Sequence, residues 1–295
     1  TGVMRIYFRN RFEAWQQPRN SDTFLRCQVK TDDGWQNVFR GNPGPFLYMK
    51  DQEKNIYDSY SAGLGPQVVV EETGPLRTCV RIKGYHTNQN GLRFCPYILR
   101  VHLFAGKSDI RIFHTFIYDQ DPHTCELSAV GMKIPLNLGN DLRACFGLEG
   151  NVTGVTNWRK IQVLQSDDLH YTLDLDGNKL NSGKKAAGWA SLNGSFGGAV
   201  AVIKNFWQEY PKGFILDEDG IDVQIWPERH SENLIFSTPF EEPPIQFGEI
   251  YPPPGTLPLR DEVEVQRQIE ENSTAPLSLK SLHIQSVEDA AWVEK

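Results

Sequence analysis

Closely spaced cysteines are absent from this sequence. Its 295 residues include five cysteines, and none of them forms a C-x-x-C pair. Zinc ribbons and dithiol redox motifs need such pairs, so we expect neither a metal site nor a redox centre of that kind. Cys79 and Cys95 fall in neighbouring predicted strands, where a disulfide is one interpretation and two buried free thiols are the other.

An excess of positive charge and a long apolar run are also absent. The net charge is −7, whereas nucleic-acid-binding proteins usually present a basic surface, so we expect no nucleic-acid partner. A local basic face is still compatible with this charge. No apolar run approaches the roughly 20 residues needed to cross a bilayer, and the first residues are not leader-like. We therefore expect no membrane span and no membrane partner.

The motifs that mark common catalytic and nucleotide-binding sites are missing. The sequence has no G-x-S-x-G, P-loop, G-x-G-x-x-G or H-E-x-x-H pattern. Residues 174–178 resemble the start of a calcium-binding loop but lack the later glutamate ligand, which favours an ordinary turn. We expect no cofactor and no metal, so any chemistry would come from the protein's own side chains.

The sequence is rich in β structure. Residues 67–119 form four runs of Val, Ile, Phe, Tyr and Thr, separated by turn residues around Gly74, Gly91 and Gly106. Turn clusters between alternating runs are typical of hairpins, so we predict an antiparallel meander. Similar runs continue to residue 226, and about a dozen closely spaced strands are typical of a large β-sandwich.

Composition changes along the chain predict three segments. Residues 1–58 contain short strand candidates and form a small β segment, as part of an N-terminal β domain. Residues 59–240 form the central β-sandwich. Residues 241–295 form a Pro-rich connector and a helical tail, in which Ser286 is placed to cap a helix. Because the chain opens on a strand-like run, we expect it to be a piece of a longer polypeptide.

Side-chain alternation gives the meander two unlike faces. Successive residues of a strand point to opposite faces, so Arg81, Lys83 and Tyr85 share one face of the second strand. Arg100 and His102 share one face of the next strand. If the register aligns these residues, they form a cationic face suited to an anionic ligand, since Arg and Lys bind carboxylates. The competing interpretation is an ordinary solvated face of an antiparallel sheet.

Two other histidines lie in the meander. His86 is at a strand end before a polar loop, a position where functional groups are common. His114 alternates with Ile110, Ile112 and Phe116, so we expect it to be a core histidine.

A second cluster lies in a loop after the apolar strand at residues 198–203. Lys204, Trp207 and Tyr210 would suit a sugar ligand, because exposed aromatic rings stack on flat sugar faces. The competing interpretation is that Phe206 and Trp207 close one end of the sandwich.

Residues 71–86 and 99–119, together with residues 206–213 and 225–228, resemble the central β-sandwich of exo-rhamnogalacturonan lyase-like proteins. The resemblance extends over residues 65–230. It implies a galactose-mutarotase-like supersandwich, usually preceded by a small β domain and followed by an α/α toroid. The expected fold class is therefore mainly β, a large antiparallel β-sandwich with a short helical C-terminal end. The resemblance also implies further domains of the same polypeptide. A secreted or periplasmic location is favoured, although the sequence shows no signal peptide.

The chemistry implied by the resemblance is β-elimination at a uronic acid, so the expected partner is an acidic polysaccharide or oligosaccharide. This reaction needs a cation to neutralise the carboxylate, a base for the C5 proton and an acid for the leaving oxygen. The residues expected to serve catalysis are Lys83, Tyr85, His86, Arg100 and His102. Those expected to bind the substrate are Arg81, Lys204, Trp207 and Tyr210.

Two other functions are compatible with the same residues. One is a non-catalytic carbohydrate-binding sandwich in which Trp207 and Tyr210 form a stacking platform. The other is a glycoside hydrolase, which needs a pair of carboxyl groups at a defined separation. That separation depends on the tertiary structure, so the sequence selects no pair.

Overall fold

A computed structural model describes residues 4–8, 25–31, 34–40, 44–60, 66–149, 151–236 and 279–286. In these residues the protein is mainly β, and every strand pairing is antiparallel. The predicted fold class is confirmed to this extent. Within the same residues, no helix combines the length and the apolar character that crossing a bilayer requires.

A small sheet comes first in the chain. Its strands are β1 (Met4–Phe8), β2 (Leu25–Thr31) and β3 (Gly34–Asn37), which pair in that order. Met4, Leu25 and Cys27 are buried on one face of this sheet. The alternation of apolar and polar residues in β1 and β2 is the pattern expected of strands with one covered face.

The remaining strands have the following bounds: β4 (Phe46–Asp51), β5 (Ile56–Asp58), β6 (Gln67–Thr73), β7 (Arg77–Thr87), β8 (Arg93–Phe104), β9 (Ile110–Phe116), β10 (Leu127–Pro135), β11 (Arg143–Leu148), β12 (Asn151–Val155), β13 (Lys160–Asp167), β14 (His170–Leu175), β15 (Asn178–Gly183), β16 (Trp189–Gly194), β17 (Gly197–Ile203), β18 (Lys212–Asp217), β19 (Gly220–Trp226) and β20 (Leu279–Ser286).

These strands form two large antiparallel series. One runs β5–β4–β10–β19–β18–β13–β14–β15. The other runs β6–β7–β8–β9–β20–β17–β16–β11–β12. A single residue pair between β5 and β7, Asp58 with Thr87, joins the two series. Buried apolar side chains from both series belong to one core cluster, so the two sheets share a hydrophobic interior.

The meander predicted over residues 67–119 is present as β6 to β9, in sequential antiparallel order. Val80, Val101 and Ile112 face one another across β7, β8 and β9 and are buried. The residues that alternate with them along these strands therefore point to the opposite face, as the sequence pattern predicted.

The five cysteines all lie in the described residues, and all are free thiols. Cys79 and Cys95, the pair for which a disulfide was one interpretation, are both buried. Burial raises the pKa of the Cys95 thiol to about 12, which keeps it protonated. The interpretation of this pair as buried free thiols is confirmed.

The C-terminal residues contribute a strand that the sequence did not predict. β20 pairs with β9 on one side and with β17 on the other, so it completes the second series. Ser286, the predicted helix cap, is the last residue of β20. The predicted connector and the rest of the predicted helical tail lie outside the described residues. The three predicted segments stay predictions, although β4 and β5, placed with the first segment, pair into the large sheets.

Candidate functional site

The register of β7 and β8 brings the predicted cationic residues onto one face. Arg81 lies directly opposite Arg100, and Lys83 and Tyr85 follow on the same side of β7. His102 lies on the same side of β8, opposite Cys79. The antiparallel register therefore places all five of these residues on the same face of the sheet.

A carboxylate from the edge strand holds two of these cations. Glu71 on β6 forms ion pairs with Arg81 at 3.0 Å and with Arg100 at 2.8 Å. The hydrogen bond from Arg100 holds the pKa of the Glu71 carboxyl below its usual value. Two guanidinium groups are therefore fixed in place, and their charge is partly balanced.

His102 is the partly buried base of this face. Its Nε2 is 3.7 Å from the Cys79 Sγ, and its ring meets the Phe113 ring edge-on at 5.1 Å between centroids. Burial lowers the pKa of His102 from 6.5, and the neighbouring Arg77 and Arg111 charges lower it further. The imidazole is consequently neutral at pH 7 and able to accept a proton.

Arg111 was not among the site residues predicted from the sequence. It lies on β9 directly opposite His102, on the same face. Its Nε is buried and has no hydrogen-bond partner among the described residues. Arg111 and His114 are three positions apart on β9 and point to opposite faces. The alternation that predicted a core position for His114 therefore also predicted that Arg111 lies on the opposite face. We call the six residues Arg81, Lys83, Tyr85, Arg100, His102 and Arg111 the β7–β9 face.

Lys83 and Tyr85 are the accessible end of the β7–β9 face. Lys83 is exposed and forms no ion pair with the described residues. Tyr85 is 40% exposed, and the Arg93 guanidinium lies 4.9 Å from its ring centroid. Both side chains are therefore available to a ligand from solvent.

His86 is not brought to the β7–β9 face. It is fully buried on the opposite side of β7, where its Nδ1 lies 2.6 Å from the Cys95 carbonyl oxygen. The His114 ring lies 6.1 Å away, also buried, so the core position expected for His114 is confirmed. Burial lowers the pKa of both imidazoles, to about 4 for His86 and about 3 for His114.

The loop with the aromatic residues lies elsewhere on the same sheet. It follows β17, which is four strands from β7 in the series, or about 19 Å at the usual strand spacing. Phe206 is buried and stacks on Phe214, which closes this end of the core. Trp207 is partly exposed beneath the Lys185 ammonium at 4.0 Å, and Tyr210 is 42% exposed.

Lys204, the third member of that predicted cluster, is exposed next to Asn205 at the end of β17. The loop and the β7–β9 face therefore share one sheet without touching. A single small ligand therefore cannot contact both, and a ligand that did so would have to be an extended chain.

A second polar cluster occupies the other sheet, and no local sequence pattern indicated it. The Tyr48 hydroxyl donates to the Asp222 carboxylate at 2.9 and 3.0 Å, and Gln224 Nε2 donates to the Tyr48 oxygen at 3.4 Å. Burial raises the pKa of Asp222 to about 6. Gly131 lies beneath Tyr48, because a Cβ there would come within 2.6 Å of the Tyr48 ring.

Two charged pairs flank the Tyr48–Asp222 cluster. Lys133 Nζ is 2.6 Å from Asp217, and Lys50 Nζ is 2.5 Å from Glu228. The described residues contain no group of three or more His, Cys, Asp or Glu side chains placed to hold a metal ion.

Residues 45–144 match the family model described as the PcRGLX-like protein central beta sandwich domain. This confirms the resemblance drawn from residues 71–86 and 99–119, which lie within the match. The Bacillus subtilis (strain 168) protein named "Uncharacterized protein YetA" is a distant relative, 19% identical over 218 residues. The alignment covers 55% of this chain and 25% of that protein, so the chain spans about a quarter of the relative's length.

The PcRGLX-like segment contains the whole β7–β9 face, including Arg111. It also contains Glu71, which forms the ion pairs with Arg81 and Arg100. It also contains Tyr48. The aromatic loop and Asp222 lie beyond residue 144. The likeness to the family model therefore bears on the β7–β9 face more directly than on the other two clusters.

Proposed function

We propose that this chain belongs to a polysaccharide lyase that cleaves rhamnogalacturonan or a related pectic uronate by β-elimination, or is a domain of one. The match to the PcRGLX-like central sandwich supports this proposal, since the matched segment contains the β7–β9 face. We further propose a galactose-mutarotase-like supersandwich, for which the two large antiparallel series are suited. Further domains of the same polypeptide and a secreted or periplasmic location are part of the same proposal.

The observation that carries the proposal is the pairing of His102 with Arg111. A neutral imidazole lies directly opposite a guanidinium whose Nε has no partner among the described residues. A uronate needs these two groups together. The cation neutralises its carboxylate and makes the C5 proton more acidic, and the base removes that proton.

The elimination then follows from the positions of the residues. Arg111, with Arg100 beside it, binds the uronate carboxylate, and His102 takes the C5 proton. The electron pair of that C–H bond forms the C4–C5 double bond as the C4–O bond breaks. Lys83, on the same face and four positions along β7 from the residue opposite His102, gives a proton to the leaving oxygen.

The experiment is to incubate the protein with rhamnogalacturonan and with polygalacturonate and to follow two products. Elimination produces an unsaturated uronate that absorbs ultraviolet light, together with one new reducing end for each cleavage. We expect both signals to rise in parallel. Reducing ends without ultraviolet absorbance would show hydrolysis instead, and binding without either product would leave a non-catalytic carbohydrate-binding sandwich.

One observation favours hydrolysis as the second candidate function. Asp222 has a raised pKa, as a general acid in a glycoside hydrolase requires, and Asp217 is a nearby carboxylate. The pair lies on the sheet opposite the β7–β9 face, so separate variants test the two reactions. The binding alternative is favoured by Trp207 and Tyr210, whose partly exposed rings suit stacking on sugars.

A further inference from the structure

The small sheet has a solvent face with an unusual composition. Arg5, Arg26 and Lys30 lie on it, all exposed, because they alternate with the buried Met4, Leu25 and Cys27 along β1 and β2. The strands β1, β2 and β3 contain no Asp or Glu. Positions 32 and 33, between β2 and β3 in the sequence, are acidic and lie outside the described residues. Three cations thus share one face of a protein whose net charge is −7.

Aromatic and amide groups lie between these cations. The Tyr7 hydroxyl donates to Gln28 Oε1 at 3.2 Å, and Gln28 Nε2 donates to Asn37 Oδ1 at 3.1 Å. The Arg5 guanidinium lies 3.9 Å from the Trp35 ring centroid. These contacts fix the side chains in place before a ligand arrives, which lowers the entropy cost of binding. We call the cationic, aromatic and amide residues of this sheet the β1–β3 face.

A groove continues from the β1–β3 face to the large sheet. Its volume is about 580 Å³, and Arg5 and Tyr7 line one wall while Leu76, Arg77 and Phe104 line the other. Among the described residues β1 pairs only with β2, so its other backbone edge faces this groove. Arg77 lies on the same side of β7 as Arg81, two positions before Cys79, the residue opposite His102. The groove therefore ends beside the β7–β9 face.

We propose that the β1–β3 face and this groove bind a stretch of linear polyuronate outside the reacting sugar, and lead the chain toward the β7–β9 face. The chemistry of such a ligand fits each group present. Carboxylates pair with the arginines and Lys30, flat sugar faces stack on Tyr7, and hydroxyls bond to the amides. The proposal rests on the substrate class of the proposed function but not on the reaction itself.

Two other ligand classes are alternatives. A nucleic acid is also a polyanion, with one charge per nucleotide, so charge alone does not separate it from a polyuronate. It is therefore a competing probe in the test. A peptide strand would leave the three cations of the sheet face without counter-charges.

The test is a titration by calorimetry with polygalacturonate oligomers, its methyl ester and a single-stranded oligothymidylate as probes. The variant carries Arg26→Glu and Lys30→Glu. A matched control carries Arg159→Glu and Lys179→Glu, exposed residues beside β13 and on β15. We expect binding of polygalacturonate to weaken about tenfold in the variant and to change by less than about twofold in the control. The methyl ester and the oligothymidylate should bind weakly to every form.

A measurement on the unmodified protein makes the result independent of variant folding. Amide hydrogen exchange of the peptides covering β1–β3 should slow when polygalacturonate is added. Unchanged exchange, or equal affinity in variant and control, would overturn the proposal. Equal or tighter binding of the oligothymidylate would also overturn it, in favour of a nucleic-acid surface.

The outcomes separate this proposal from the proposed function. The unmodified protein could form no unsaturated product while the variant loses binding of polygalacturonate. This result would support the β1–β3 site and contradict the lyase function. The variant could instead form unsaturated product at the same rate, and bind polygalacturonate with the same affinity, as the unmodified protein. This result would support the lyase function and contradict the β1–β3 site.

Discussion

His102 on β8 and Arg111 on β9 are directly opposed residues of adjacent antiparallel strands. Their side chains share one face, and the Arg111 charge helps to keep the imidazole neutral. Cross-strand neighbours on one face of an antiparallel pair have Cβ atoms about 5 Å apart, so one ligand carboxylate and its adjacent carbon can reach both.

Arg111→Gln should change the pH dependence of elimination. The pKa of His102 lies below 6.5 in the protein, so kcat/KM should rise with pH through an acid limb below that value. Removing the Arg111 charge should move this limb upward toward 6.5 and should lower kcat/KM. His102→Gln should lower kcat by about 100-fold or more and remove the limb.

The control for this pair is Arg159→Gln, which removes an exposed arginine far from the β7–β9 face along the chain. It should leave the pH profile unchanged. Circular dichroism and the melting temperature of each variant distinguish a lost catalytic group from lost folding. An acid limb that stays in place in Arg111→Gln would contradict the assigned role of the Arg111 charge.

Glu71→Gln should strengthen binding of polygalacturonate at low salt by about threefold, because it removes the negative charge that balances Arg81 and Arg100. The gain should disappear at high salt, where exposed charges are screened. Calorimetry at two salt concentrations measures both effects. Glu218→Gln, an equal charge change on an exposed residue next to β18, is the control; an equal gain there would mean that only net charge matters.

His114→Leu should make the protein more resistant to acid. The folded-state pKa of His114 is about 3 and that of His86 about 4, both below the ordinary 6.5. Because the folded form favours the neutral imidazoles, their stability contribution is complete above pH 6.5 and is lost as the pH falls toward 4. The groups that face His86 and His114 are the Tyr97 ring and the negative charge of Asp119. They do not offset the cost of burying two protonated imidazoles.

The measurement is the free energy of unfolding by urea between pH 7 and pH 4. The protein should lose stability over this range, and His114→Leu should lose on the order of 3 kcal/mol less. Leucine is suitable because neither ring nitrogen of His114 has a hydrogen-bond partner among the described residues. His123→Leu, at an exposed position, is the control and should follow the unmodified protein.

Asp222→Asn should separate the two enzymatic hypotheses and also raise stability at neutral pH. The folded-state pKa of Asp222 is about 6, above the ordinary 3.8, so the protein loses stability as the pH rises from 3.8 to 6. The amide removes this loss and still accepts the Tyr48 hydrogen bond. We expect the variant to gain about 2 kcal/mol relative to the unmodified protein at pH 7, and no gain at pH 4.

Activity of the same variant provides the second readout. Elimination on the β7–β9 face should be unchanged in Asp222→Asn, since Asp222 lies in the other sheet. A hydrolase that uses Asp222 would lose its activity. Loss of unsaturated product in this variant, with normal stability, would move the proposed reaction to the Tyr48–Asp222 cluster.

Local sequence patterns were sufficient to predict the meander and the two faces of its strands. Alternation and turn residues act over a few positions, so the opposite directions of Ile82 and Lys83 followed from the chain alone. The same local logic set His114 in the core, and it contained the position of Arg111. It did not indicate that Glu71 would clamp two arginines, because a bulge in β6, between its pairings at Val70 and Glu72, decides where that carboxylate lies.

Long-range pairing was decided by the tertiary structure. Tyr48 and Asp222 are 174 positions apart and meet only because β10 lies between β4 and β19. β20 joins β9 to β17 although a Pro-rich stretch precedes it in sequence. His86 stands before a polar loop, yet it is buried, because the neighbouring strand and the core cover that end of β7. Such contacts depend on sheet order, which single-strand periodicity does not encode.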